Sequence, residues 1–175
     1  MEKRPYIEIQ ALSVDNIPVL SRIAKAAYFD HFKYLWFDDG EWYAEKCFSE
    51  EALAAEYALY SNEFYFVLIE QEPVGFIKLK TPSFEFCNNC LELERIYLIK
   101  KFTGKGIGKY CLHWVESEAL ERNRPEILLK AMDSSKYSIA FYKKCGFQIV
   151  GETKLDFEMM KEECRGMVIM KKTIG

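Results

Sequence analysis

The chain has 175 residues, half of them apolar, with 24 Lys and Arg against 27 Asp and Glu for a net charge of −3. That length fits a single domain over residues 1–175 with a sizeable core. No run of about 18 apolar residues occurs. The charged start Met1-Glu2-Lys3-Arg4 leads into Pro5 rather than a signal-peptide core; together these features exclude a membrane partner and predict a cytoplasmic protein. A net acidic chain without a long basic stripe also argues against a nucleic-acid partner.

Residues 6–11 alternate like a strand, and Ser13-Val14-Asp15-Asn16 supplies capping residues before Ile17, Leu20, Ile23, Ala24 and Ala27, which recur at helical spacing. After the acidic turn Asp38-Asp39-Gly40, residues 41–60 read as one or two helices. Residues 63–70 and 74–81 are aromatic and β-branched runs parted by Gln71-Glu72-Pro73, the pattern of a hairpin. A polar loop at Asn88-Asn89 leads to a strand over 91–99, a glycine-rich turn, a helix over 110–122 and a strand over 126–132. A short helix over 139–144 is stopped by Gly146, and residues 147–155 and 164–172 read as a closing antiparallel pair. The order predicts an α/β fold with a mixed sheet wrapped by helices.

Of six cysteines (Cys47, Cys87, Cys90, Cys111, Cys145, Cys164), only Cys87 and Cys90 are close in sequence. A zinc site needs a second ligand pair, and His31 and His113 are isolated, so the expectation is no metal and reduced thiols, with Cys87 and Cys90 as the pair able to act in redox chemistry. Charge is uneven. Residues 30–63 hold nine acids against Lys33 and Lys46, a net of −7 that leaves +4 elsewhere, while Lys100, Lys101, Lys105, Lys109, Lys136, Lys143 and Lys144 gather downstream. Such a split suits an anionic cofactor and a cationic acceptor, and equally suits helix faces charged for solubility.

Gly104-Lys105-Gly106-Ile107-Gly108-Lys109 has the chemistry of a phosphate seat: glycines admit close backbone approach and positive φ, and the following helix offers unpaired N–H groups and its dipole. It is not a P-loop, because Thr103 stands where the first glycine belongs and Tyr110 where Ser or Thr belongs. It is not a dinucleotide fingerprint either, since the third glycine falls on Lys109 or Cys111. Taken alone, the motif is also compatible with an ordinary strand-to-helix turn.

Three blocks in sequence decide the matter: Leu91-Glu92-Leu93-Glu94-Arg95-Ile96-Tyr97-Leu98, the glycine turn, and Ser138-Ile139-Ala140-Phe141-Tyr142-Lys143-Lys144-Cys145-Gly146-Phe147. In order and spacing the chain resembles the GNAT superfamily of acetyl-CoA-dependent N-acetyltransferases over roughly residues 29–147. Leu93-Glu94-Arg95-Ile96-Tyr97, Ala119-Leu120-Glu121-Arg122-Asn123 and Phe141-Tyr142-Lys143-Lys144 look most like the PaiA-type polyamine acetyltransferases. The resemblance implies a mostly antiparallel sheet in which the strand ending at Leu98 and the strand over 126–132 splay apart, with acetyl-CoA in the opening and the early helices forming the acceptor site. It also implies that Ile96, Tyr97 and Leu98 bind the acetyl and pantetheine portion through their backbone, and that Gly104, Lys105, Gly106, Ile107, Gly108 and Lys109 surround the pyrophosphate. Thr103 stands where the family has Gln or Arg, and Ser135 where it has Asn; Ser135 keeps a shorter hydrogen-bonding group for the cofactor.

Acetyl transfer to an amine needs a carboxylate to accept the amine's proton, directly or through water, and an acid for the leaving thiolate. Glu92 and Glu94, two apart on a strand, point to one face, and either could serve as base. The family pattern puts a tyrosine at Tyr142 near the CoA sulfur, where a phenol with a pKa of about 10 keeps a proton to deliver. The implied function is acetylation of a small primary amine, a polyamine most specifically. Protein N-termini, lysine or aminoglycosides as acceptors, and an acyl-CoA sensor without turnover, are the alternatives. Oligomeric state is not legible; a homodimer is compatible.

Overall fold

The computed structural model describes residues 5–83 and 87–175. Seven strands form one sheet, in the order β1 (Ile7–Ala11), β2 (Asn62–Ile69), β3 (Glu72–Ser83), β4 (Cys90–Leu98), β5 (Glu126–Met132), β7 (Gly166–Thr173), β6 (Gln148–Lys154). All neighbours are antiparallel except β4 and β5, which run parallel because α4 (Ile107–Glu121) carries the chain across between them. The expected mixed, mostly antiparallel sheet is therefore observed. Helices α1 (Ile17–Phe32), α2 (Glu41–Phe48) and α3 (Glu50–Tyr57) cover one face; α4 and α5 (Lys136–Lys144) cover the other.

Alternation along the strands sorts the core into these two layers. Phe64, Phe66 and Leu68 of β2 and Phe76 of β3 pack with Leu20, Ala24, Phe48 and Leu53. Val67, Ile77, Leu79, Leu91, Leu93, Ile127 and Leu129 pack with Ile107, Cys111, Leu112 and Val115. Each such large side chain, fully buried, contributes roughly 1.5–3 kcal/mol.

The boundaries that moved did so for local reasons. The hairpin turn is not Gln71-Glu72-Pro73 but Glu70-Gln71, both at positive φ (49° and 69°), so β3 already starts at Glu72 and takes in Pro73. That two-residue geometry is the one that matches strand twist. Residues 41–60 divide into two helices because Ser49 turns extended and its Oγ accepts from the Ala52 N–H, capping α3. Helix α4 begins at Ile107, three residues ahead of the apolar periodicity, because Gly106 at φ 81° is its N-cap; Gly108 is thus a helical residue, not a turn residue. Helix α5 likewise begins at Lys136, its first turn being polar and exposed.

Cys47, Cys111, Cys145 and Cys164 are free thiols, but the expectation of reduced cysteines fails for Cys87 and Cys90, which form a disulfide. Cys90 opens β4 opposite Glu126 of β5, and the Glu126 carboxylate lies 3.1 Å from Cys87 Sγ. Among the described residues these are the three metal-type donors that come together, within 4.8 Å, and in the disulfide the sulfurs are no longer thiolates. No helix of the described residues is long and apolar enough to cross a membrane.

Candidate active site

The site lies where β4 and β5 part. Their ladder runs only from Cys90 opposite Glu126 to Leu93 opposite Leu129. Beyond it the strands separate, and a cavity of about 150 Å³ opens, lined by Glu94 to Tyr97 of β4, Leu129 to Met132 of β5, and Ser135, Ser138 and Tyr142 of the following turn and α5. Tyr28, Phe32, Leu35, Trp36 and Tyr43 close it from the opposite layer.

What starts the parting is a β-bulge. Lys78 of β3 pairs with Arg95 and Leu79 with Leu93, so Glu94 is the extra residue. The bulge turns two successive side chains to the face covered by α1–α3: Glu94 pairs with Lys78, and Arg95 with Glu56 of α3. Beyond it, the Ile99 N–H donates to the Val74 carbonyl, which fixes the ladder phase. Tyr97 therefore bonds to β3 through its backbone, while Ile96 and Leu98 turn their N–H and C=O toward the opening. Of the three predicted backbone contacts, two face the cleft. The Leu98 carbonyl is already engaged, 2.8 Å from His31 Nε2, so that nitrogen must carry the ring's hydrogen.

The two predicted carboxylates part company. Glu94 lines the cavity, whereas Glu92 is 8% exposed and is absent from the lining. Burial pushes the Glu94 carboxyl up, but Lys78, Arg95 and Lys80 together outweigh it and hold the group below the ordinary carboxylate value. Glu94 is thus an ionised carboxylate at neutral pH.

The glycine turn has the form of an anion cradle. Gly104 (φ 72°) and Gly106 (φ 81°) adopt conformations that favour glycine, and a Cβ at either would meet nothing within 4 Å, so the space over the turn is open. No side chain caps α4, and its first ladder bond is Tyr110 N–H to the Gly106 carbonyl at 3.1 Å, so the N–H groups of Ile107, Gly108 and Lys109 have no partner within the helix. The Ile107 side chain is core, and Gly108 lets α4 approach α5: a Cβ there would stand 3.3 Å from Phe141 Cζ. Thr103 is exposed, and its hydroxyl bonds back to the Lys100 carbonyl at 2.7 Å, so it replaces neither Gln nor Arg at the turn. Lys101 and Lys105 lie over the Phe102 ring. Ser135 lines the cavity and leaves α5 uncapped; its Oγ is 3.4 Å from Tyr34 Oη, which bonds more closely to Ser134 Oγ at 2.8 Å.

Sequence reasoning missed the individual rings of the aromatic wall that closes the cavity from the α1–α3 layer. Trp36, 1% exposed, donates from Nε1 to Tyr28 Oη at 2.8 Å and stacks on Tyr43 with ring centres 4.8 Å apart; Phe157 closes against both Trp36 and Tyr43. These rings come from α1, α2 and two loops, so no local period announces them. Burial raises the phenols of Tyr28, Tyr43, Tyr97 and Tyr142, that of Tyr97 to about 12. A phenol raised on folding contributes stability that is complete below its unfolded value of about 10 and lost as pH rises through its folded one. Thermal stability is therefore expected to hold to pH 9 and fall steeply between pH 10 and 12, with these tyrosines ionising late in an ultraviolet titration. A melting temperature flat across that window would contradict the buried, neutral phenols.

A parallel strand pair opened by a bulge, followed by a glycine-led helix with free N–H groups, makes a seat for a long ligand with an anionic end. The family is equally plain: the model of the acetyltransferase (GNAT) family matches residues 24–147, and the chain belongs to that family. It is an acetyl-CoA-dependent N-acetyltransferase. It is 28% identical over 144 residues to an uncharacterized N-acetyltransferase of Lactobacillus delbrueckii subsp. lactis, covering 80% of this chain and 83% of that one. It is 27% identical over 161 residues to the spermidine N(1)-acetyltransferase of Thermoplasma acidophilum, covering 89% and 97%. The fold is similar to the crystal structure of the PaiA N-acetyltransferase of Thermoplasma acidophilum in complex with coenzyme A (TM-score 0.75, 24% identity, 96% and 99% covered). It is also similar to that of the ribosomal-protein-S18-alanine N-acetyltransferase of Escherichia coli (TM-score 0.72, 17% identity, 97% and 95% covered).

Proposed function

We propose that the chain acetylates a primary amine of a small acceptor, with a polyamine as the acceptor class, using Tyr142 as the acid and Glu94 as the base. One observation carries the reading: Glu94 and Tyr142 line the same cavity from its two sides, on β4 and α5. Acetyl-CoA supplies an activated acyl thioester. The turn at Gly104, Lys105, Gly106, Ile107, Gly108 and Lys109 offers its backbone N–H groups to the pyrophosphate, and Ile96 and Leu98 offer theirs to the pantetheine arm. Tyr97 contributes its ring rather than its backbone, packing on Phe32 and Phe76. Ser135 Oγ, loosely held, is free to exchange Tyr34 for a cofactor group.

Glu94, ionised and facing the cavity, accepts the proton that an ammonium must lose before its nitrogen can attack. Tyr142 Oη–H, kept neutral by burial, donates to the sulfur as negative charge develops there. Glu92, buried away from the cavity, takes neither part in this reading.

The polyamine assignment draws on the likeness to the spermidine N(1)-acetyltransferase, not on bulk charge. Five of the nine acids in residues 30–63 are engaged within the fold: Asp30 with the Lys100 N–H, Asp38 with the start of α2, Glu45 with Lys25, Glu56 with Lys78 and Arg95, and Glu63 with Arg122. The test is thiol release from acetyl-CoA across polyamines, amino acids, aminoglycosides and peptides. Polyamines should give the highest kcat/KM. A peptide or aminoglycoside preferred over spermidine would overturn the acceptor class, and tight coenzyme A binding without turnover of any amine would point to a sensor.

A further inference from the structure

We propose that Glu56, on α3 and outside every motif of the sequence, is a positioning residue of the site: by holding Arg95 and Lys78 together it keeps Glu94 from being consumed as their counterion. The proposal rests on the reading of Glu94 as the base, and it comes from the way the bulge distributes charge.

Two cations are buried under the α1–α3 layer, Lys78 at 3% and Arg95 at 9% exposure. Glu56 meets both. Arg95 Nη1 lies 3.0 Å from Glu56 Oε2 and Nη2 3.4 Å from Oε1, a two-pronged grip, while Lys78 Nζ lies 2.9 Å from Oε2. Lys78 also pairs with Glu94, so the charges alternate Arg95, Glu56, Lys78, Glu94, and the last member faces the cavity. The guanidinium lies 5.2 Å from the centre of the Phe48 ring and the ammonium 5.6 Å from that of Phe64, so aromatic surface rather than water surrounds what the carboxylates leave uncovered.

Buried cations that lose one partner press harder on the other. Without the charge of Glu56, Lys78 and Arg95 share Glu94 alone. Its carboxylate is drawn toward β3 and away from the cavity, and its basicity falls. The groups that act on Glu94 are Lys78 and Lys80 from β3 and Arg95 and Tyr97 from β4; Glu56 from α3 reaches it through Lys78, and Tyr43 from α2, Tyr28 from α1 and Lys130 from β5 line the same cavity. Of these, Glu56 is the acid whose removal leaves both buried cations in place.

The test is a carbon-detected NMR titration of the protein labelled at Glu Cδ, with the Glu94 signal assigned by its loss in Glu94→Gln. In Glu56→Gln the Glu94 midpoint should fall by about one pH unit, the scale of an opposite charge within a few ångströms. In Glu56→Asp, where a shorter side chain keeps one cation, the shift should be smaller in the same direction; this variant carries the test if Glu56→Gln does not fold. A midpoint that stays or rises in the folded variants overturns the proposal. With the best acceptor from the panel, Glu56→Gln should lower kcat about tenfold while KM for acetyl-CoA stays within twofold, a partial loss of general-base catalysis. Equal effects on both constants would mean a merely structural role. Unchanged turnover in Glu94→Gln would remove Glu94 as base and leave the titration to judge Glu56 alone.

Discussion

Replacing Tyr142 with Phe is expected to lower kcat by about a hundredfold or more, the scale of a lost general acid, while KM for acetyl-CoA changes less than twofold. The separation follows from where the residue sits. Its ring packs against Phe141 and Phe147 of the α4–α5 layer, at centroid distances of 5.4 and 5.8 Å, and phenylalanine fills the same volume. Only the hydroxyl is lost, from a residue that lines the cavity. Burial and the neighbouring Tyr97 and Cys145 raise its pKa, so the phenol stays protonated through pH 10. A donor so reluctant to ionise acts first through its hydrogen bond to developing negative charge, and it remains competent on the alkaline side. Wild-type turnover should therefore show no basic limb below pH 10 that disappears in Tyr142→Phe. Steady-state kinetics from pH 7 to 10 on both proteins check this, and a variant that turns over at the wild-type rate removes Tyr142 from the acid role.

The contrast between what the chain announced and what it concealed is physical. The glycine turn was legible because φ above zero and an uncapped helix start are local demands, met by local residues. The β4 and β5 strands were legible because their apolar runs must be buried on both faces. The choice between Glu92 and Glu94 was not, for alternation puts both on one face, whereas the pairing of β3 inserts a bulge that only a second strand can specify. Nor was the grip of Glu56 on Arg95, which joins residues 39 apart in sequence through a helix whose own pattern says nothing of charge partners. Thr103 was visible as a departure, but its resolution, a hydroxyl bonded back to Lys100, needed the turn to be folded. Cys87 and Cys90 were singled out as a pair able to act in redox chemistry, but the approach of Glu126 from β5 to that pair was not legible, because it is made by strand pairing.

Gly75→Ala should be the most damaging single methyl in the protein. Gly75 lies in β3 opposite Leu98, at a position where a Cβ would stand 2.3 Å from the Tyr97 carbonyl oxygen, 2.7 Å from Leu98 Cδ2 and 3.1 Å from Leu98 Cα. Two of those three are backbone atoms of the neighbouring strand, which cannot swing aside as a side-chain tip can. The overlap is relieved only by pushing β3 and β4 apart, at the rung just beyond Ile96. Overpacking of this kind costs about 3 kcal/mol or more when the obstacle is rigid. The displaced rung is also the one that turns Leu98 to the opening and meets His31, so coenzyme A affinity should fall along with stability. Gly108→Ala is the control. Its Cβ would meet only the tip of the Phe141 ring, at 3.3 Å, and it replaces a helical glycine, which by itself favours the variant by about 1 kcal/mol. Urea denaturation of the two variants should thus diverge, with Gly75→Ala destabilised and Gly108→Ala close to wild type, and coenzyme A titration of Gly75→Ala should show the lost affinity. Equal midpoints for the two would mean that the β3–β4 rung yields as readily as a phenylalanine ring, and that the opening is not held by close approach of those strands.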